Sequence, residues 1–244
     1  MPDRDQSPMM FKYSGVGLLL SIMISLFVLP FFEGMRAGRT MFVLGYSLLL
    51  VLAAISTRTN FRLIAVSLLI VAIPAGVGSL LIEWKALLVV FCLVGSTVFW
   101  YAGIKIVLDV VRSRSIEFDS ILRAVTSYLL FGLGWSLTYW AMCIIDPQSF
   151  LAPNLDSELN GRENDVQFST LIYYSFVTMS TLGYGDIIPN GRVTRTLAWM
   201  QSVTGQFYVA VAIAWLVSSL PKAQDMNGHD PQESDREANE VDNA

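Results

Sequence analysis

The sequence predicts an all-α membrane protein: six transmembrane helices, with a shorter re-entrant helix and a glycine-bearing loop between the fifth and the sixth. Three observations carry that prediction. Of 244 residues, 54% are hydrophobic and 15% charged, whereas charged residues make up about a quarter of a soluble domain. Apolar runs fall at about 13–32, 40–57, 62–82, 86–108, 122–145 and 195–220, against the roughly 20 residues that cross a hydrocarbon core of about 30 Å. The stretch "FSTLIYYSFVTM" at 168–179 is roughly 18 Å long as a helix, too short to cross and too apolar to stay in water.

The first run outlasts the apolar core of a signal peptide, about 7–15 residues, and reaches Pro30 and Phe31 without a small-residue cleavage site. It is expected to be a retained helix after a cytoplasmic segment at 1–12. The second, bracketed by Arg39 and Arg58, the third and the fourth complete a four-helix unit at 13–111. Cys92 and Cys143 have no paired spacing and are expected to be packing residues. The fourth run carries Lys105 alone, which either pairs with Asp109 at i+4 or reaches the interface. Residues 109–121, with Arg112, Arg114, Glu117 and Asp119, are either a linker coupling two parts of the chain or a solvated loop.

The fifth run opens a second unit at 112–220. Residues 146–167 are loop-like and acidic, with Pro147, Pro153, Gly161 and five carboxylates. A helix at 168–179 then enters and leaves from one face, which lipid tolerates only if the non-helical chain after it lines a cavity or is buried in protein. Ser169 is the expected N-cap, and the glycines from Gly183 onward end the helix. The sixth span covers 195–220. The tail at 221–244 is polar, acidic and free of aromatics, so it is expected to be disordered, with His229 as a solvated residue.

The net charge of -4 comes largely from the 146–167 loop and the tail. With both termini on one side, that side holds Arg4, Lys12, Arg58, Arg62, Arg112, Arg114, Arg123 and Lys222. The other holds Arg36, Arg39, Lys85, Arg162, Arg192 and Arg195. The excess of basic residues favours cytoplasmic termini and places 146–194 outside.

After the short helix the chain reads Ser180, Thr181, Leu182, Gly183, Tyr184, Gly185, Asp186. Glycines at alternate positions take left-handed dihedrals at little steric cost, so successive carbonyls can point one way. Several copies around one axis would replace the hydration shell of a cation, with the Thr181 hydroxyl adding an oxygen at the inner mouth. Gly191 serves the turn after Pro189.

"STLGYGD" resembles the selectivity-filter signature of potassium channels, usually T-V-G-Y-G-D, with Leu182 in place of valine. The likeness extends over about 118–220 as outer helix, acidic turret, pore helix 168–179, filter 181–186 and inner helix 195–220. It implies that Thr181, Leu182, Gly183, Tyr184 and Gly185 supply the coordinating oxygens, with K+ bound along Thr181 to Tyr184. The Leu182 and Tyr184 side chains would turn back into the pore-helix scaffold. It implies that Asp186 braces the filter, supported by Tyr173 and Tyr174, which form an aromatic cuff or simply pack in their helix. Val177 stands where some relatives carry a glutamate that pairs with this aspartate, so Asp186 is expected to use another partner, Tyr174. The C-terminal end of the short helix carries roughly half a negative charge, favourable to a cation below the filter.

In the sixth span Gly205 stands where potassium channels often have a hinge. Gln206 is placed on the cavity wall, since polar residues in membrane helices face a bundle interior or water. Val209 or Ala210, Ile213 and Val217 continue that face and are candidates for an apolar gate or for packing against the outer helix. One filter segment cannot surround an ion, so a homotetramer is implied. The expected partners are other copies of the chain, the lipid bilayer and K+ as permeant ion, with no further cofactor and no nucleic acid.

The expected function is a potassium-selective channel in the plasma (inner) membrane with weak or no voltage dependence. A voltage sensor needs three to four charges per subunit, and the fourth span offers Lys105. The alternatives are a non-selective cation channel or a poorly conducting regulatory or scaffolding subunit. An enzyme is not expected: the sequence has no phosphate loop, metal-ligand cluster or nucleophile with a nearby histidine.

Overall fold

The computed structural model describes residues 10–32, 38–56, 62–82, 84–112, 118–151 and 168–219. Its elements are α1 (Met10–Phe32), α2 (Gly38–Ile55), α3 (Arg62–Leu81), α4 (Lys85–Arg112), α5 (Phe118–Ile145), β1 (Phe150–Leu151), α6 (Phe168–Met179), β2 (Ile188–Pro189) and α7 (Arg192–Ser219). Helices dominate because hydrocarbon offers no partner to backbone N–H and C=O groups, which a helix satisfies within itself.

Among the described residues, five helices contain stretches long and apolar enough to cross a membrane: Gly38–Ile55, Leu63–Leu81, Lys85–Arg112, Asp119–Ile145 and Arg192–Trp215. α1 is itself 23 residues long, Met10–Phe32, and includes the apolar stretch Gly17–Phe32. The chain is an all-α, multi-pass membrane protein.

Three local expectations need correction. The stretch 109–121 is helical over most of its length, because α4 runs to Arg112 and α5 starts at Phe118. An Asp119–Arg123 pair at 2.6 Å, one turn apart, supports the start of α5. Arg114 and Glu117 lie outside the described residues, as do the 1–9 segment and the tail. Ser169 is the second residue of α6 rather than the residue preceding it. The loop after α5 begins with order, since β1 pairs antiparallel with β2 in the register Phe150↔Pro189 and Leu151↔Ile188. Asn190 extends this tie, its N–H donating to Ser149 O at 2.8 Å and its Nδ2 to Gln148 O at 3.0 Å.

The main core lies among the first five helices and takes in the start of α6. Phe168, the first residue of α6, packs its ring 4.0 Å from Phe42, 5.0 Å from Tyr46 and 5.1 Å from Trp140. The short helix is therefore anchored to α2 as well as to α5. Along α4 and α5 the Ser96 and Thr138 hydroxyls meet at 2.9 Å in the buried interface, a polar tie of the kind that joins membrane helices. A Cβ on Gly132 would overlap the Phe176 ring, so only glycine lets α6 approach α5 this closely. Both cysteines are free and buried.

A second cluster, Trp135, Tyr139, Phe150, Leu171, Tyr174 and Ile187, joins α5, β1 and α6 to the chain after the glycine loop. It backs the loop that carries the site.

Candidate functional site

The site is the loop 180–186 between α6 and β2. Its start hangs from the last turn of α6: Ser180 N–H donates to Phe176 O at 2.9 Å, Thr181 N–H to Thr178 O at 3.1 Å and Leu182 N–H to Val177 O at 3.0 Å. Beyond that the backbone alternates. φ is +59° at Thr181, +55° at Gly183 and +77° at Gly185, while Leu182 and Tyr184 between them are not left-handed. Left-handed residues at every second position let successive carbonyls point one way. The two glycines take this conformation freely. Thr181 does not, because a β-branched residue at positive φ is an outlier that costs about 1–3 kcal/mol and persists only where its surroundings impose it.

Side-chain bonds hold Thr181 there. Its hydroxyl donates to Ser180 O at 2.7 Å and accepts from Gln206 Nε2 of α7 at 3.0 Å. Leu182 and Tyr184 are 55% and 64% exposed, so within one chain the pore-helix scaffold does not cover them as expected.

The far end of the loop is fixed by Asp186. Tyr173 OH donates to Asp186 Oδ2 at 2.6 Å, and Ile187 N–H donates to Oδ1 at 3.1 Å. The partner of Asp186 is thus Tyr173 and not Tyr174. The hydrogen bond to the carboxylate pushes the Tyr173 phenol up to about 12, so it stays protonated and able to donate. Tyr174, one position on, is turned by the helical period to another face. It is buried 5.1 Å from the Tyr139 ring and 4.9 Å from Phe150. The two tyrosines divide the expected roles: one touches the loop and the other is core.

Behind the loop lies a polar network centred on Gln201, which the sequence reading missed. Gln201 is 0% exposed. Its Nε2 donates to Ser175 O at 3.0 Å and to Ser175 Oγ at 2.7 Å, and its Oε1 accepts from Tyr139 OH at 2.7 Å. Ser175 Oγ in turn donates to Gly132 O at 2.7 Å. One amide joins α5, α6 and α7 with its donors and acceptor satisfied, the condition under which buried polar networks rigidify a core. The available signal was a second glutamine, five residues before Gln206, within a largely apolar helix.

Gly205 lies where a Cβ would overlap the Met179 carbonyl, so it brings α7 hard against the end of α6. That close approach sets Gln206 under Thr181. Val209 and Ile213 line, with Ile121, Val125 and Tyr128 of α5, an apolar cavity of about 360 Å³. The side chain of Val217 lies outside the described ones. The structure brings Thr181 to Asp186, Tyr173, Gly205 and Gln206 together and sets Val209 and Ile213 apart from them, beside α5. Much of α7 is apolar and uncovered in the chain, with Trp199, Phe207 and Ile213 more than half exposed.

Comparison with known proteins bears on the same segment. A family described as ion channel matches residues 125–221, from within α5 to just past α7. YdjJ, an uncharacterized membrane protein of Bacillus subtilis (strain 168), is 31% identical over 91 residues, 37% of this chain and 24% of that protein. Two pore potassium channel a of Oryza sativa subsp. japonica is 32% identical over 69 residues, 28% of this chain and 20% of that protein. The chain thus matches about a quarter or less of these relatives' length. No solved structure matches. The segment similar to the ion-channel family, 125–221, takes in most of α5, the short helix α6, the T-L-G-Y-G-D loop and α7.

Proposed function

We propose that this protein is a potassium-selective channel of four identical chains, with K+ passing along the backbone oxygens of Thr181, Leu182, Gly183 and Tyr184. The observation that carries the reading is the alternation of left-handed residues at Thr181, Gly183 and Gly185 within T-L-G-Y-G-D. Carbonyl rings of this kind replace the hydration shell of K+. One loop contributes one oxygen per level, so fourfold repetition is required. The exposed Leu182, Tyr184 and α7 side chains then find cover against neighbouring chains. The Tyr173–Asp186 hydrogen bond supports a held, selective loop in the absence of a glutamate at Val177.

No cofactor is needed beyond the permeant ion. The distribution of Lys and Arg supports a plasma (inner) membrane channel with cytoplasmic termini. The division into a four-helix unit at 13–111 and a pore unit at 112–220 belongs to the same reading. In α4, Lys105 lies 5.8 Å from the Tyr101 ring centroid. One charge per subunit, about 2.3 kcal/mol per 100 mV, gives weak or no voltage dependence.

Flux into liposomes tests the proposal. Purified protein should take up rubidium or potassium and exclude sodium, and Gly183→Ala should abolish uptake. Equal sodium flux would make it a non-selective cation channel. Absence of flux in the unaltered protein would favour a scaffolding role.

A further inference from the structure

We propose that Gln206 orients the Thr181 hydroxyl as an ion ligand and offers its own amide oxygen to the arriving cation. This rests on the potassium-channel reading and extends it to a side chain on the inner helix.

A threonine hydroxyl has one hydrogen and two acceptor lone pairs. At Thr181 the hydrogen is committed to Ser180 O at 2.7 Å, and one lone pair takes Gln206 Nε2 at 3.0 Å. The second lone pair stays open. Rotating the hydroxyl so that its hydrogen met a cation would break the bond to Ser180 O and turn a lone pair toward that carbonyl, so the group presents an acceptor. The same network fixes which end of the amide faces Thr181: with the hydroxyl hydrogen turned to Ser180, an amide oxygen there would meet a lone pair. Oε1 of Gln206 therefore points away from Thr181.

Position gives this oxygen its role. α7 starts at Arg192 beyond the loop and runs to Ser219, and Gln206, midway along it, reaches Thr181, the first left-handed residue of the ladder. A cation coming from the side that carries the termini passes Gln206 before Thr181. Gly205 makes the placement possible, since its backbone lies against the Met179 carbonyl. The ligand class is a monovalent, potassium-sized cation still partly hydrated, which exchanges its last waters for Oε1 and then Thr181 Oγ1. Four copies would form a ring of neutral amide oxygens at the inner mouth.

The test is single-channel recording on the full chain in symmetrical potassium, at both signs of potential. Gln206→Leu should lower current arriving from the side of the termini by about three- to tenfold, the scale of one lost neutral hydrogen-bonding group. Current in the opposite direction should fall less, so rectification shifts. Gln206→Glu keeps the length and adds charge; it should shift rectification the other way, by an amount that shrinks as salt rises. Equal loss in both directions marks a merely structural role and overturns the proposal. Should Gln206→Leu fail to assemble, Gln206→Glu decides, and unchanged rectification in it also overturns the proposal. A wild-type protein that passes no potassium overturns the channel reading itself, an outcome seen before any variant is compared.

Discussion

The Tyr173 hydroxyl donates to the Asp186 carboxylate at 2.6 Å, joining the re-entrant helix to the end of the T-L-G-Y-G-D loop. The contact spans 13 residues and closes the loop at its far end, as Val177 O and Gln206 close it near its start. Tyr173→Phe leaves Asp186 with the Ile187 N–H alone, and the ratio of potassium to sodium flux is expected to fall several-fold. Titrating the phenol tests the same bond in the unaltered protein. An unperturbed tyrosine ionises near pH 10, whereas Tyr173 is raised to about 12. Because the pKa is raised, the contribution of the bond is fully present below pH 10 and is lost only as pH rises through about 12. Selectivity measured from pH 7 to 9 should be flat as far as Tyr173 is concerned.

Gln201→Leu should destabilise the folded protein. It strips partners from Tyr139 OH and Ser175 within a buried interface, and each buried group left unpaired costs about 1–3 kcal/mol. The check is thermal unfolding in detergent beside the surface variant Thr196→Ala; a Tm unchanged from wild type would contradict the network's role.

Gly205→Ala separates two uses of the same glycine. If close approach to the Met179 carbonyl is what matters, a single methyl overpacks the joint and costs about 1–3 kcal/mol, and conduction falls together with thermal stability. A glycine needed only as a hinge would lose gating with Tm intact.

Tyr208 ties α7 to α5 on the other side of Gly205. Its hydroxyl donates to Ala124 O and lies 2.8 Å from Ser127 Oγ. Apolar cavities of about 360 and 270 Å³ both include Tyr208 in their lining, so little packing replaces the tie if it is lost. Tyr208→Phe should therefore change open probability in single-channel records while leaving the potassium-to-sodium permeability ratio unchanged, since the residue does not touch the loop.

Run length and local residue type made part of this architecture legible in the sequence. Apolar runs located the helices to within a few residues, and Gly183 and Gly185 announced a left-handed backbone. The rest depends on three-dimensional neighbours. Tyr173 and Tyr174 are adjacent in sequence, and only the rotation of α6 decides that the first meets Asp186 and the second Tyr139. Gln201 gains its meaning from groups on two other helices. Thr181 at positive φ runs against the preference of β-branched residues, so no propensity argument finds it; the hydrogen bonds from Thr181 to Ser180 and from Gln206 do. The two-residue ladder of β1 and β2 is too short to leave a periodic signal.

The most direct measurement is the reversal potential of reconstituted channels with potassium on one side and sodium on the other. A potassium-selective pore built on Thr181 to Gly185 predicts a reversal potential that tracks the potassium gradient at about 59 mV per tenfold change and a loss of that dependence in Gly183→Ala or Tyr184→Ala. A reversal potential near zero in the unaltered protein under these conditions would contradict it.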